Sequence, residues 1–177
     1  MKKLIIIRGA SGVGKTTVAE KLANVLKVKK LARVPVDITP GRLIVRPYSI
    51  DRNEMAKITQ ENSESLIKNF LSEGYVVITD GIFYRKHKNK NSLKRLINIG
   101  KKNGAKTYVI ELEADINDVV ERIRQRSKTD KKSDNNFKRV KERYEKFSKT
   151  KYKESILIDT KRKSVGEIVK EILQNIE

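Results

Sequence analysis

Leu4-Ile5-Ile6-Ile7-Arg8 runs directly into Gly9-Ala10-Ser11-Gly12-Val13-Gly14-Lys15-Thr16, and the reading of this junction decides the fold. The apolar run is short, β-branched and unbroken, the pattern of a strand covered on both faces. The eight residues after it fit G-x-x-x-x-G-K-[S/T] without a mismatch. From Thr16 to Leu26 the apolar residues Val18, Leu22, Val25 and Leu26 then fall at helical spacing. A buried strand, a glycine-rich turn and a helix in that order form an anion site for physical reasons. Glycines let the backbone wrap closely enough for successive N–H groups to converge, and the helix adds its positive N-terminal end. The segment therefore predicts a cradle for the phosphates of a nucleoside triphosphate, made by Gly9, Ala10, Ser11, Gly12, Val13 and Gly14 together with Lys15, Thr16 and Thr17. In it the Lys15 ammonium reaches the β/γ-phosphates and the Thr16 hydroxyl serves Mg²⁺.

Working outward, strands and helices alternate. Leu31–Val36 reads as a second strand. Residues 37–52 read as an irregular connection containing Pro40 and Pro47, which with Pro35 are all the prolines of the chain. A helix is predicted over Arg52–Ser72 with Ile58, Leu66, Ile67, Phe70 and Leu71 available for burial. Tyr75–Thr79 is a third strand, and it delivers Asp80-Gly81 at its end. Ser92–Lys102 is predicted helical and closed by Asn103-Gly104. Thr107–Leu112 is a fourth strand. Asp115 caps a helix that buries Ile116, Val119, Val120 and Ile123. Residues 127–136 read as a loop. Phe137, Val140, Tyr144 and Phe147 lie on one side of a further amphipathic helix, as core packing rather than a base-stacking platform. Ile156–Ile158 is a fifth strand and Val165–Ile176 a closing helix. The alternation predicts an α/β fold, a parallel sheet with helices on both faces, in a single domain spanning residues 1–177.

The 177 residues carry 41 Lys+Arg against 22 Asp+Glu, a formal net charge of +19, and no cysteine. Without cysteine there are no disulfides and no thiolate metal site, which suits a cytoplasmic protein. The apolar run before Arg8 is too short for a signal peptide or a membrane span, so neither secretion nor membrane insertion is expected. Residues 81–110 hold nine Lys/Arg and no acid, and residues 122–153 hold 14 basic and 4 acidic residues. The remainder is balanced. Two basic blocks on a neutral body predict a polyanion-binding face, with nucleic acid the usual candidate. The lone His87 lies in a basic run and is expected to be exposed and without a role.

Asp80 ends a buried-type strand at the carboxyl edge, where open α/β sheets bind ligands. It is placed to hold a Mg²⁺-bound water or to position an acceptor; an Asp-Gly pair at a strand end is also ordinary turn chemistry. With the cradle at 9–16, this carboxylate, Arg122 and Arg126 on one helical face, and a late strand closing at Asp159-Thr160, the chain resembles the small P-loop kinases. That group includes adenylate kinase, gluconate kinase, chloramphenicol phosphotransferase, zeta toxin and polynucleotide kinase.

The resemblance implies a three-layer P-loop NTPase fold with a five-stranded parallel sheet and a helical lid at about residues 122–150. By the same resemblance, Arg126 and Arg122 neutralise charge on the transferring phosphoryl group, and the loop of Asp159, Thr160, Lys161 and Arg162 covers the adenine. Asp37 accepts the proton of the acceptor hydroxyl, with Asp51 as its rival and Arg42 or Arg46 as a basic neighbour. The chemistry is sound, because phosphoryl transfer needs positioning and charge stabilisation above all.

ATP and Mg²⁺ are thus the expected cofactors, ATP rather than GTP because no guanine-reading Asn/Thr-Lys-x-Asp motif is present. The expected reaction moves the γ-phosphate to a hydroxyl. The basic segments 85–106 and 122–153 point to the 5′-OH of DNA or RNA as acceptor. Two alternatives stay open: a nucleoside, sugar or antibiotic acceptor, and a nucleotide-binding, nucleic-acid-binding module that transfers nothing.

Overall fold

The computed structural model describes residues 2–36, 52–83, 86–87, 90–129 and 137–176. Five strands form one all-parallel sheet: β1 (Lys3–Gly9), β2 (Leu31–Arg33), β3 (Val76–Gly81), β6 (Lys106–Glu113) and β7 (Ile156–Asp159). Their spatial order is β2-β3-β1-β6-β7. A separate two-stranded ribbon, β4 (Lys86–His87) with β5 (Lys90–Asn91), lies between β3 and the next helix and was not expected from the sequence. The helices are α1 (Lys15–Val25), α2 (Arg52–Ser72), α3 (Ser92–Lys102), α4 (Ile116–Thr129), α5 (Phe137–Ser148) and α6 (Val165–Ile176).

The unbroken apolar run of β1 has a direct structural cause. Its side chains alternate between two cores, as strand geometry requires. Ile5 and Ile7 enter a core shared with Val18 and Leu22 of α1 and Ile168 and Ile172 of α6. Leu4 and Ile6 enter the other, with Ile67 and Leu71 of α2 and Leu96 of α3. All four of these β1 side chains are fully buried, so an unpartnered polar residue at any of them would be costly.

Local signals set most of the helix ends. Asn91 caps α3 by accepting the Leu93 N–H at 2.8 Å, and Asp115 accepts the Asn117 N–H at 2.8 Å ahead of α4. Gly104, at φ 65°, leaves α3 in the left-handed conformation a β-carbon disfavours. Ser164 and Glu167 form a reciprocal cap on α6. Ser164 N–H donates to Glu167 Oε2 at 2.7 Å, and Glu167 N–H donates to Ser164 Oγ at 3.3 Å.

Three expectations are corrected. The second strand is regular only over Leu31–Arg33, and Pro35, whose missing N–H would face away from β3, is tolerated on this edge of the sheet. Val34 and Val36 still donate to Ile78 and Asp80, at 2.9 and 3.1 Å. Residues 127–129 continue α4 rather than opening a loop; the rest of that predicted loop lies outside the described residues. Leu66 is exposed on α2, since the buried stripe runs through Ile67 and Leu71, one position away.

Candidate active site

The predicted cradle sits at the carboxyl end of β1, the middle strand. Gly9 pairs with Leu112 across the sheet, and a β-carbon there would lie 2.7 Å from both the Leu112 carbonyl oxygen and Val13 Cγ2. Only glycine fits so close to backbone. Gly12, at φ 87°, is doubly constrained, because a β-carbon would also lie 2.9 Å from Ile123 Cδ1. Gly14, at φ 98°, has open space on that side, and its carbonyl accepts the Val18 N–H at 3.0 Å to start α1. The first turn of α1 carries no acidic residue, so its positive end faces the loop with no carboxylate of its own to neutralise it.

Lys15 is 8% exposed, and its Nζ donates to the Ala10 carbonyl at 2.9 Å. That bond folds the ammonium across its own loop. Thr16 Oγ1 donates to Asp80 Oδ2 at 3.1 Å, joining two residues that lie 64 positions apart. Thr17 is exposed beside them. Arg33 was missed by sequence reasoning. It reaches from β2 to place Nη2 3.1 Å from Asp80 Oδ1, while its Nη1 lies 3.2 Å from Glu20 Oε1. Asp80 is 3% exposed, and its Oδ1 receives no aligned N–H despite that close cation.

The hydroxyl and carboxylate at 3.1 Å are hard oxygen donors from two elements, with one negative charge between them. Mg²⁺ suits such a set, because it keeps most of its waters and takes one or two carboxylates alongside phosphate oxygens. Among the described residues no group of three or more His, Cys, Asp or Glu could hold a metal by itself.

Arg122 also comes to the cradle. Its Nη1 lies 3.5 Å from the Val13 carbonyl and 3.4 Å from Thr160 Oγ1. Thr160 is buried and donates its N–H to Glu113 at 2.8 Å. The loop, α4 and the end of β7 thus meet at one point. Arg126 lies on α4 one turn further along, with its side chain outside the described residues, as is that of His87. Asp37, Asp51, Arg42 and Arg46 all lie outside them, so the acceptor base has no geometry here.

A second feature absent from the sequence reading lies directly behind the loop. Arg8 and Glu111 face each other on β1 and β6, both essentially unexposed, with Arg8 Nη1 3.3 Å from Glu111 Oε2. Arg8 Nη2 donates to Thr150, at 2.9 Å to its carbonyl and 3.0 Å to its hydroxyl. The guanidinium also stacks 4.7 Å from the centre of the Phe147 ring. Burial pushes the Glu111 carboxyl up and the Arg8 guanidinium down, each against the opposing pull of its partner's charge. Tyr144 Oη donates to the Ala114 carbonyl at 2.7 Å, and burial raises its pKa. These contacts pin the end of α5 to the strands that carry the loop, around a cavity of about 30 Å³ between Ala10, Val13, Glu111 and Tyr144.

Residues 4–148 match the AAA_33 family, an AAA domain. The chain belongs to that family. Among solved structures it is similar to the tunicamycin resistance protein of Deinococcus radiodurans, with 20% identity, a TM-score of 0.69, and coverage of 99% of this chain and 96% of that one. It is similar to the Mycobacterium tuberculosis APS kinase CysC in complex with AMPPNP and APS, with 13% identity, a TM-score of 0.66, and coverage of 98% and 96%. A chain of the Pnkp1/Rnl/Hen1 RNA repair complex matches at 17% identity and a TM-score of 0.66, over 84% of this chain and 45% of that one. At these identities the likeness is one of fold, and the fold is that of the P-loop kinases. The AAA_33 chain carries the cradle, the strand-end carboxylate and the helix arginine that the fold places together. No helix among its described residues is long and apolar enough to cross a membrane.

Proposed function

We propose that this AAA_33 protein is an ATP- and Mg²⁺-dependent phosphotransferase that moves the γ-phosphate to a hydroxyl acceptor, the 5′-OH of DNA or RNA. The observation that carries the reading is the meeting of Lys15, Thr16 and Asp80 at the N-terminus of α1, with the Thr16 hydroxyl bonded to the Asp80 carboxylate. In this reading the loop amides bind the phosphate oxygens, and Lys15 exchanges the Ala10 carbonyl for the β/γ-phosphates. Thr16 and Asp80 hold Mg²⁺, directly or through its waters. Bound there, Mg²⁺ neutralises negative charge on the phosphate oxygens. Arg122, whose guanidinium already lies beside Val13 and Thr160, turns toward the transferring group together with Arg126; an arginine fork matches phosphate oxygens two at a time. Asp37 orients or deprotonates the acceptor.

Charge placement supports the nucleic-acid acceptor. The block 122–153 includes α5, whose cations Lys138, Arg139 and Lys141 are exposed on the body that Arg8 ties to the loop. One part of the charge does not bear on the site directly. The block 85–106 does not lie wholly beside Asp80, because α3 carries Lys101 and Lys102 to the opposite end of the sheet. Incubation with γ-labelled ATP, Mg²⁺ and a panel of 5′-OH DNA, 5′-OH RNA, nucleosides and sugars tests the choice. Label on an oligonucleotide, falling steeply as salt rises, is the expected result. Label only on a nucleoside or sugar would replace the acceptor, and label on nothing would remove the transferase reading.

A further inference from the structure

Parallel strands with helical crossovers send every strand start and most helix ends to the edge opposite the cradle. Lys3 on β1 pairs directly with Lys106 on β6, and Lys106 N–H donates to the Lys2 carbonyl at 3.0 Å. Two strand positions from Lys3, the Lys30 carbonyl accepts the Val76 N–H at 2.9 Å at the start of β2 and β3. Lys27 and Lys29 are exposed in the turn between α1 and β2, and Lys101 and Lys102 are exposed at the end of α3. Eight lysines from three distant stretches of sequence therefore meet on one edge. Five of them come from stretches that, read linearly, belong to the neutral remainder of the chain. Glu73 is the acid beside them, among the described residues.

Part of this charge has a local task. Lys2, Lys3 and Lys30 each place Nζ on a carbonyl at a helix end, those of Ser72, Ile176 and Glu73. The C-termini of α1, α2, α3 and α6 all point to this edge, and four such ends supply about −2 charges. Against eight lysines and one acid among the described residues that leaves about +5, more than the helix ends require. Lys27, Lys29, Lys101 and Lys102 are joined to no carboxylate among the described residues.

We infer that this edge is a docking surface for a nucleic-acid strand, separate from the phosphate site; the choice of polyanion rests on the nucleic-acid reading above. From β2 to β6 is three strand spacings, about 14 Å, and the seven residues of β1 put the edge about 23 Å from the cradle. At the duplex spacing of about 3.4 Å per phosphate along one strand the edge spans roughly four phosphates, and an extended single strand places fewer along the same length. An anionic lipid surface suits it less. Val28 is the exposed large apolar side chain at this edge, which gives a bilayer little to take up.

The test uses the full chain with Lys27→Gln, Lys29→Gln, Lys101→Gln and Lys102→Gln combined, and a fluorescent single-stranded 20-mer in a salt titration. Binding is expected to weaken at least tenfold at low salt, with the log–log salt slope shallower by about 2 to 3. The affinity for ATP should be unchanged. The pair Lys27→Gln/Lys29→Gln, which leaves the end of α3 intact, should show about half the effect and serves if the fourfold variant does not fold. Unchanged 20-mer binding overturns the inference, and so does binding confined to anionic vesicles. Lost 20-mer binding with no transfer to any 5′-OH keeps the docking edge and removes the acceptor reading.

Discussion

Replacing Arg8 with Met should be among the most damaging single changes available in this protein. The guanidinium sits at 1% exposure against Glu111 at 1%, and neither Glu111 oxygen is hydrogen-bonded by another side chain. Removing one partner of such a buried pair leaves the other charge uncompensated, which costs about 3–5 kcal/mol. For a chain of this size each kcal/mol lowers Tm by about 2–4 °C, so Arg8→Met should melt about 6–20 °C below wild type. The loss should shrink toward acid pH. Burial raises the Glu111 carboxyl, so without Arg8 the folded state holds a proton the unfolded chain has released, and stability falls as pH rises through that folded-state value.

The double variant Arg8→Met/Glu111→Leu removes both charges and should recover most of the deficit. The Thr150 carbonyl and hydroxyl both lose the Arg8 donor, at a cost of about 1–3 kcal/mol, although the hydroxyl keeps its own bond to the Phe147 carbonyl. Thermal melts of wild type, both single variants and the double variant at neutral pH complete the cycle. Additive losses, or an Arg8→Met variant within about 1 kcal/mol of wild type, would refute the reasoning.

Two further outcomes follow from the geometry. Gly12→Ala must place a β-carbon 2.9 Å from Ile123 at φ 87°, whereas Gly14→Ala meets only the unfavourable φ of 98°. Equilibrium titration with ATP should therefore show Gly12→Ala weakened more than Gly14→Ala, and the reverse order would contradict the packing given for the loop. The Ser164 hydrogen bonds hold the Glu167 carboxyl below its ordinary value, so its share of α6 stability is present above the unfolded carboxylate pKa and is lost as pH falls through the lower folded value. Melts between about pH 3 and 6 should show a shallower acid slope in Glu167→Gln; parallel curves would count against the cap.

Where local chemistry decides structure, the sequence was legible. The helices Arg52–Ser72, Ser92–Lys102 and Val165–Ile176 have the bounds their periodicity predicts, because caps and glycines close them. The cradle was legible because its mechanism needs glycine at fixed spacing. Arg8–Glu111 was not read, although a trace existed: Arg8 ends the apolar run Leu4–Ile7, Glu111 stands between Ile110 and Leu112, and the sheet register sets the two charges opposite each other. Arg33 left no trace, since its meeting with Asp80 depends on β2 lying next to β3. Charge was misread for a similar reason. Counted along the chain it forms two blocks, but folding sends Lys101 and Lys102 of one block to join Lys2, Lys3 and Lys30 at the far edge.

Calorimetric titration of ATP and of AMP, each with Mg²⁺, into wild type and Lys15→Met tests the central claim most directly. If residues 9–16 grip a triphosphate tail, wild type should prefer ATP to AMP, and Lys15→Met should lose about 10- to 150-fold of that preference, the equivalent of one charge-assisted hydrogen bond at about 1.5–3 kcal/mol. Equal affinity of wild type for the two nucleotides, or an undiminished preference in Lys15→Met, would contradict it.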